Sequence, residues 1–243
     1  MNSSKRAWKD LAAELQLPCR FEVGEPERLS FAENLAAADA ILTTSLAEGF
    51  GMVFLEAWLT GRSLQGRDLP EITADFTSAG LDLSALHPTL DVPADWIDRN
   101  RLRQLMWQGY EATLAAYSLD SPSDAAAQLD AKLAGATVDF GDLEETFQAD
   151  IIQKVAQDAG ARRALIEANG WMATADRTTA DQIAENASVV RREFSLEPSG
   201  TRLAAVYQAV LAGSPDPPIQ PLAAPQAILD RFLSVDRFRL LRS

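Results

Sequence analysis

The spacing of apolar residues along the chain changes character near residue 94. Before it, short apolar runs alternate with helical periodicity, the pattern of strand and helix succession in an α/β layer. Trp8, Leu11, Ala12 and Leu15 share one face of a first predicted helix, which Pro18 stops. Cys19 to Val23 reads as a short strand, with Phe21 and Val23 on one side and Gly24 turning the chain. Ser30 is placed to cap a second helix carrying Phe31, Leu35 and Ala38, and Glu33 stands where a capping box needs it. The run Ala40-Ile41-Leu42-Thr43-Thr44 is continuous and β-compatible, as in a strand covered on both faces of a parallel sheet. A loop from Ser45 to Gly51, a helix from Met52 to Thr60 ended by Gly61, and a strand from Ser63 to Gly66 follow, before Asp68-Leu69-Pro70 turns the chain. At least three strands separated by helices predict an α/β fold, whose chemistry sits at the C-terminal strand ends.

From Asp95 onward helix follows helix. Trp96, Leu102, Leu105, Met106, Tyr110 and Leu114 form one apolar stripe, and Phe147, Ile151, Ile152 and Val155 another that Gly160 closes. Ile183, Val190 and Phe194 continue the theme, as do Leu203, Val206, Tyr207, Val210 and Leu211 before Gly213. Stripes at this spacing predict core-facing helix surfaces. Five prolines between Ser214 and Pro225 predict an extended linker, followed by a short helix over Ala227 to Leu233 and a basic end, Arg237-Phe238-Arg239-Leu240-Leu241-Arg242, expected to dock with its arginines in solvent. The expected division is residues 1–118 as the α/β domain, 119–213 as a helical extension, and 214–243 as linker and C-terminal tail.

Composition narrows the function classes. With 22 basic and 35 acidic side chains among 243 residues, the formal net charge is −13, which opposes sequence-independent nucleic-acid binding. The single cysteine, Cys19, has no intramolecular disulfide partner, and with one histidine, His87, the chain offers no Cys/His zinc set. The N-terminus carries no apolar stretch behind its basic residues, and no run approaches the ~20 apolar residues that span a bilayer. A soluble, cytoplasmic protein without metal or membrane span is the expectation.

The chemistry concentrates in EGFGMVFLE, Glu48 to Glu56, which follows a predicted buried strand and opens a helix. Amides near Gly51 and Met52 then lie at a helix N-terminus, where unsatisfied donors suit a phosphate. Gly49 and Gly51 leave room for a ligand to reach the backbone. Glu48 at the loop lip and Glu56 on the helix present carboxylates that accept strong hydrogen bonds from sugar hydroxyls. Hydroxyls at both ends with phosphates between describe a nucleotide sugar. On spacing alone, a helix N-terminal charge and a solvated helix residue account for the two glutamates as well. His87, between Leu86 and Pro88, has no evident nucleophile to pair with and reads as a surface or packing residue. Arg67 is placed either to reach a phosphate or to pair with Asp68 or Glu71.

The segment SLAEGFGMVFLEAWLTGRSLQGRDLPEIT resembles the donor-site segment of retaining GT-B glycosyltransferases, the large family that includes sucrose synthases and many bacterial mannosyl- and glucosyltransferases. Glu48 and Glu56 match the family's E-x7-E motif, and Gly49, Phe50 and Gly51 complete its EGFG loop. LQGRDLPEIT is similar to a second family loop ending in a glutamate, here Glu71, and NASVVRREFSLEPSGTRLAAVYQAVL is similar to the family's closing helices. The resemblance spans roughly Trp8 to Ser118 and Asp181 to Leu211. It implies the Rossmann-like second half of a GT-B fold, with Glu56 on the donor ribose, Glu48 acting on the transferred sugar, and the amides of Gly51 and Met52 on the distal phosphate, without metal or other cofactor. It departs from the family in two ways: the acceptor-binding half is missing, and Lys5, Arg6 and Lys9 do not fit the family's phosphate clamp. The partners it implies are a nucleotide-sugar donor and either a separate chain supplying the acceptor half or a second copy meeting an exposed domain face. Two other readings stand beside it, a non-catalytic interaction module and a glycoside hydrolase using Glu48 and Glu56 as its acid and nucleophile.

Overall fold

The computed structural model describes residues 3–24, 29–174, 178–213 and 223–240. Its elements run α1 (Ser3–Glu14), α2 (Phe31–Ala37), β1 (Ala40–Thr43), α3 (Val53–Leu59), β2 (Ser63–Arg67), α4 (Pro70–Ser78), β3 (Leu86–His87), β4 (Asp91–Pro93), α5 (Arg99–Ala116), α6 (Ala125–Leu133), β5 (Thr137–Asp139), α7 (Glu145–Gln157), α8 (Ala159–Ala168), α9 (Ala180–Phe194), α10 (Leu196–Ala212) and α11 (Pro225–Phe232). They divide between two compact units, which the chain visits alternately. One holds residues 22–88 and the described part of 175–222; the other holds residues 3–21, 89–174 and 223–240. The break after Pro88 differs from a boundary at 118, because α5 spends its apolar stripe on the helical unit.

In the first unit β1, β2 and β3 form a parallel sheet in that order. Ala40 pairs with Ser63 and Thr43 with Gly66, while Gly66 and Arg67 continue against Leu86 and His87. Gly66 is required where β1 and β2 run out together. Its φ is +114°, and an added Cβ would lie 2.0 Å from the Thr43 carbonyl oxygen. Phe54, Leu55, Ala57 and Trp58 of α3 bury against Leu64, Leu69, Phe76, Leu81 and Leu86, joined by Ala187, Val189 and Val190 of α9. Phe76 meets Phe194 edge to face at 5.3 Å. Asn186, 1% exposed, ties α9 to the loop after α4 by accepting from the Asp82 amide at 2.9 Å and donating to its carbonyl at 2.8 Å.

The helical unit is built on the i, i+4 ladder Leu102, Met106, Tyr110, Leu114 of α5. Leu129 and Leu133 of α6, and Phe147 and Ile151 of α7, complete its core. Asp98 caps α5 by accepting from the amides of Asn100 and Arg101. An antiparallel ribbon, β4 with β5, adds Val92 and Val138. Asn169 pins it, accepting from the Asp91 amide at 2.8 Å and donating to the Asp91 carbonyl at 2.7 Å. The C-terminal segment docks here: Phe238 packs on Tyr110 at 5.6 Å, and Lys132 and Arg239 both face the buried Asp142. Burial pushes the Asp142 carboxyl up and the Lys132 ammonium down from their ordinary values, with their mutual attraction pulling the other way.

Several expectations are corrected. Cys19 to Val23 forms no strand; Phe21 and Val23 are exposed, and β3 takes third place in the sheet. The stretch from Asp95 onward, expected to run helix after helix, contains strand β5, which pairs with β4 just ahead of it. Most pointedly, the stripe of Leu203, Val206, Tyr207, Val210 and Leu211 is not core: α10 follows α9 after the extended Ser195 and buries none of its residues. Residues 214–222 of the expected linker and 241–243 of the basic end lie outside the described residues. No helix among the described residues is long and apolar enough to cross a membrane.

Candidate functional site

Parallel pairing brings the C-terminal ends of β1, β2 and β3 to one edge of the sheet, where an open α/β layer keeps its reactive groups. Residues 44–52 leave β1 there, Arg67 ends β2 with Asp68 directly after it, and His87 ends β3. All six residues singled out in the motif, Glu48, Gly49, Phe50, Gly51, Met52 and Glu56, lie on this loop or the helix it opens.

Gly51 sets the shape of the turn. It is buried at φ +66°, and an added Cβ would lie 2.4 Å from Ile72 Cγ2, 3.1 Å from Phe54 and 3.2 Å from Phe76. The loop is thus pressed onto α4 on its inner side by a residue that only glycine replaces without collision. Its outer side stands open. Phe50 is 87% exposed, Met52 is half exposed, and Gly49 has free space where a Cβ would be. Met52 takes the N-cap position of α3 with helical backbone angles and no side-chain cap. Among the described residues, the hydrogen bonds of this loop use the carbonyls of Gly51 and Met52 as acceptors, for Phe54, Leu55 and Glu56, and none is donated by the Gly51 or Met52 amide. Donors are therefore left over at the turn, as expected of a helix start.

Glu48 is half-buried at the loop lip and accepts a hydrogen bond of 2.5 Å from Ser45 Oγ. Ser45 was not among the expected site residues. Its signal was legible, since Ser-x-x-Glu is the spacing that also joins Ser30 to Glu33 in the capping box of α2. Glu56 is half-buried on α3, between Leu55 and Ala57, which both face the core. Glu71 falls in the first turn of α4, after Pro70 at the helix start.

The neighbouring strand ends are held by polar contacts. Arg67 donates to the Pro88 carbonyl, Asp68 accepts from Thr73 Oγ1 at 2.6 Å, and the Asp68 amide donates to the His87 carbonyl at 2.9 Å. Burial holds the His87 imidazole below its ordinary pKa, and the Asp68 carboxylate opposes that shift. Among the described residues no group of three or more His, Cys, Asp or Glu is arranged to hold a metal. A cavity of about 410 Å³ in this unit lies at the other end of α3, lined by Trp58, Leu59, Gly61, Ile183, Ala187 and Arg191, and takes in none of the six motif residues.

The turn after β1 thus carries two amides that donate to no described partner, next to the half-buried Glu48 and the exposed Phe50 ring. The chain matches no known protein family, no curated protein and no solved structure.

Proposed function

We propose that the α/β unit is the donor-binding half of a retaining glycosyltransferase of GT-B type, taking a sugar from a nucleoside diphosphate sugar. The order of parallel strand, EGFG loop and glutamate-bearing helix supports this reading, and its placement at the C-terminal edge of the sheet supports it further. The observation that carries most weight is the turn at Gly51, pressed inward on Ile72 and Phe76 between the exposed Phe50 and Met52, with the amides of Gly51 and Met52 donating to no described partner. In this reading the amides of Gly51 and Met52 hold the distal phosphate, where fixed dipoles stabilise the departing diphosphate. Glu56 binds the ribose hydroxyls and Glu48, steadied by Ser45, acts on the transferred sugar. Acceptor binding belongs to a second half, supplied by another polypeptide or by further sequence, so transfer requires that half.

Nucleoside diphosphates therefore raise the melting temperature of the protein. At a hundredfold excess over Kd, linkage contributes about 2.7 kcal/mol, or roughly 5–10 °C for a protein of this size. Glu56→Ala melts like the parent without ligand and loses the protection. Absence of a shift with UDP, GDP and ADP at millimolar concentration removes the reading. It would leave the alternative, a non-catalytic interaction module, which the uncovered face of α10 favours.

A further inference from the structure

Helix α10 is the most exposed apolar element among the described residues. Leu196, Leu203, Val206, Tyr207, Val210 and Leu211 are between 51% and 92% exposed, and no residue of the helix is buried. At 100° per residue these six fall within an arc of about 140°, a single stripe of the width that a packed helix normally covers. Ser199 and Gly200 fall inside the same stripe and add no bulk to it. The helix is nearly uncharged. Its two charged residues are Glu197 and Arg202, and Arg202 is already paired with Glu193 at 2.8 Å.

We infer that α10 is a self-association surface, and that two copies of the chain pair stripe to stripe about a two-fold axis. Two observations select a second copy as occupant. First, in a chain of net charge −13 this stripe carries no charge to repel its own image, so an isologous pair meets no electrostatic penalty at its centre. Second, the area suffices. At roughly 100 Å² per side chain of this size the six residues present on the order of 400 Å² per copy, beyond what single scattered apolar residues expose. Facing copies remove about 800 Å² of apolar surface from water, and the polar margins carry the total to the ~1,000 Å² expected of a specific interface. Association is read here without any nucleotide, so failure of this inference is distinguishable from failure of the nucleotide-sugar reading.

Sedimentation velocity of the full chain from 1 to 100 µM tests it. A dimer of twice the 26.4 kDa chain mass is expected, and Leu203→Glu with Val210→Glu is expected to weaken it at least 100-fold while leaving the circular dichroism spectrum unchanged, because both side chains are exposed in the single chain. Val206→Glu alone, a milder change, is expected to weaken it about tenfold. A monomer at 100 µM overturns the inference, as does a dimer indifferent to both variants or an open-ended series of larger species.

Discussion

Replacing Gly51 by alanine tests how the candidate site is built. Two costs add at this position. A side chain at φ +66° carries about 1–2 kcal/mol of backbone strain. The new Cβ also stands 2.4 Å from Ile72 Cγ2, with Phe54 and Phe76 closing the other directions, so something must move; overpacking of this kind costs typically 1–3 kcal/mol. Together they amount to about 2–5 kcal/mol. Urea denaturation followed by far-UV circular dichroism measures the loss, with Gly49→Ala as the control: no atom lies within 4 Å of its added Cβ, so that variant stays within about 0.5 kcal/mol of the parent. The steric share is separable. In the double variant Gly51→Ala with Ile72→Ala the Ile72 contact is gone, and the double variant's loss falls short of the sum of the two single losses by at least about 1 kcal/mol. Gly51→Ala within 0.5 kcal/mol of the parent, or strict additivity in the cycle, would refute the packing of this turn against α4.

Other expectations follow from single contacts. Asn186→Ala strands the amide and carbonyl of Asp82 and costs about 2–4 kcal/mol in chemical denaturation; a loss under 1 kcal/mol would contradict the bridge. Asp142→Ala leaves Lys132 and Arg239 facing each other without their counter-charge and destabilises by about 2–4 kcal/mol, whereas Asp142→Leu with Lys132→Met recovers part of that loss. Because the chain has one histidine, its ring proton resonance reports His87 unambiguously. The resonance titrates below the ordinary value, and Asp68→Asn moves the midpoint lower still, since the Asp68 carboxylate favours the charged ring. A depressed folded-state value means that the stability His87 contributes is present above its unfolded pKa, near 6.5, and is lost as pH falls through the folded one. Asp82, lowered chiefly by hydrogen bonding to Ser84, follows the same sign at lower pH: its contribution fades as pH falls through its folded value, and Asp82→Asn flattens that limb.

Local signals carried much of this fold. The capping box at Ser30 and Glu33 and the β-compatible run at Ala40 are each decided by neighbours within four residues, and each stands where the spacing places it. What escaped is decided by partners far along the chain. Residues 19–23 have strand-like composition, yet a strand exists only where another offers a ladder, and Leu86 and His87 fill that place from more than sixty residues on. The α10 stripe has the periodicity of a core helix, but periodicity says which face is apolar and not what covers it. In the same way EGFG was readable as a loop before a helix, while the contact that fixes Gly51, with Ile72 and Phe76 of α4, was not.

The account rests on the amides of Gly51 and Met52, which donate to no partner among the described residues. Backbone ¹H–¹⁵N spectra recorded during titration with a nucleoside diphosphate address them directly. The account predicts that the amide resonances of residues 49–53 shift most and saturably, and that inorganic phosphate moves the same set more weakly. Largest shifts elsewhere in the chain, or none at millimolar nucleotide, would contradict it.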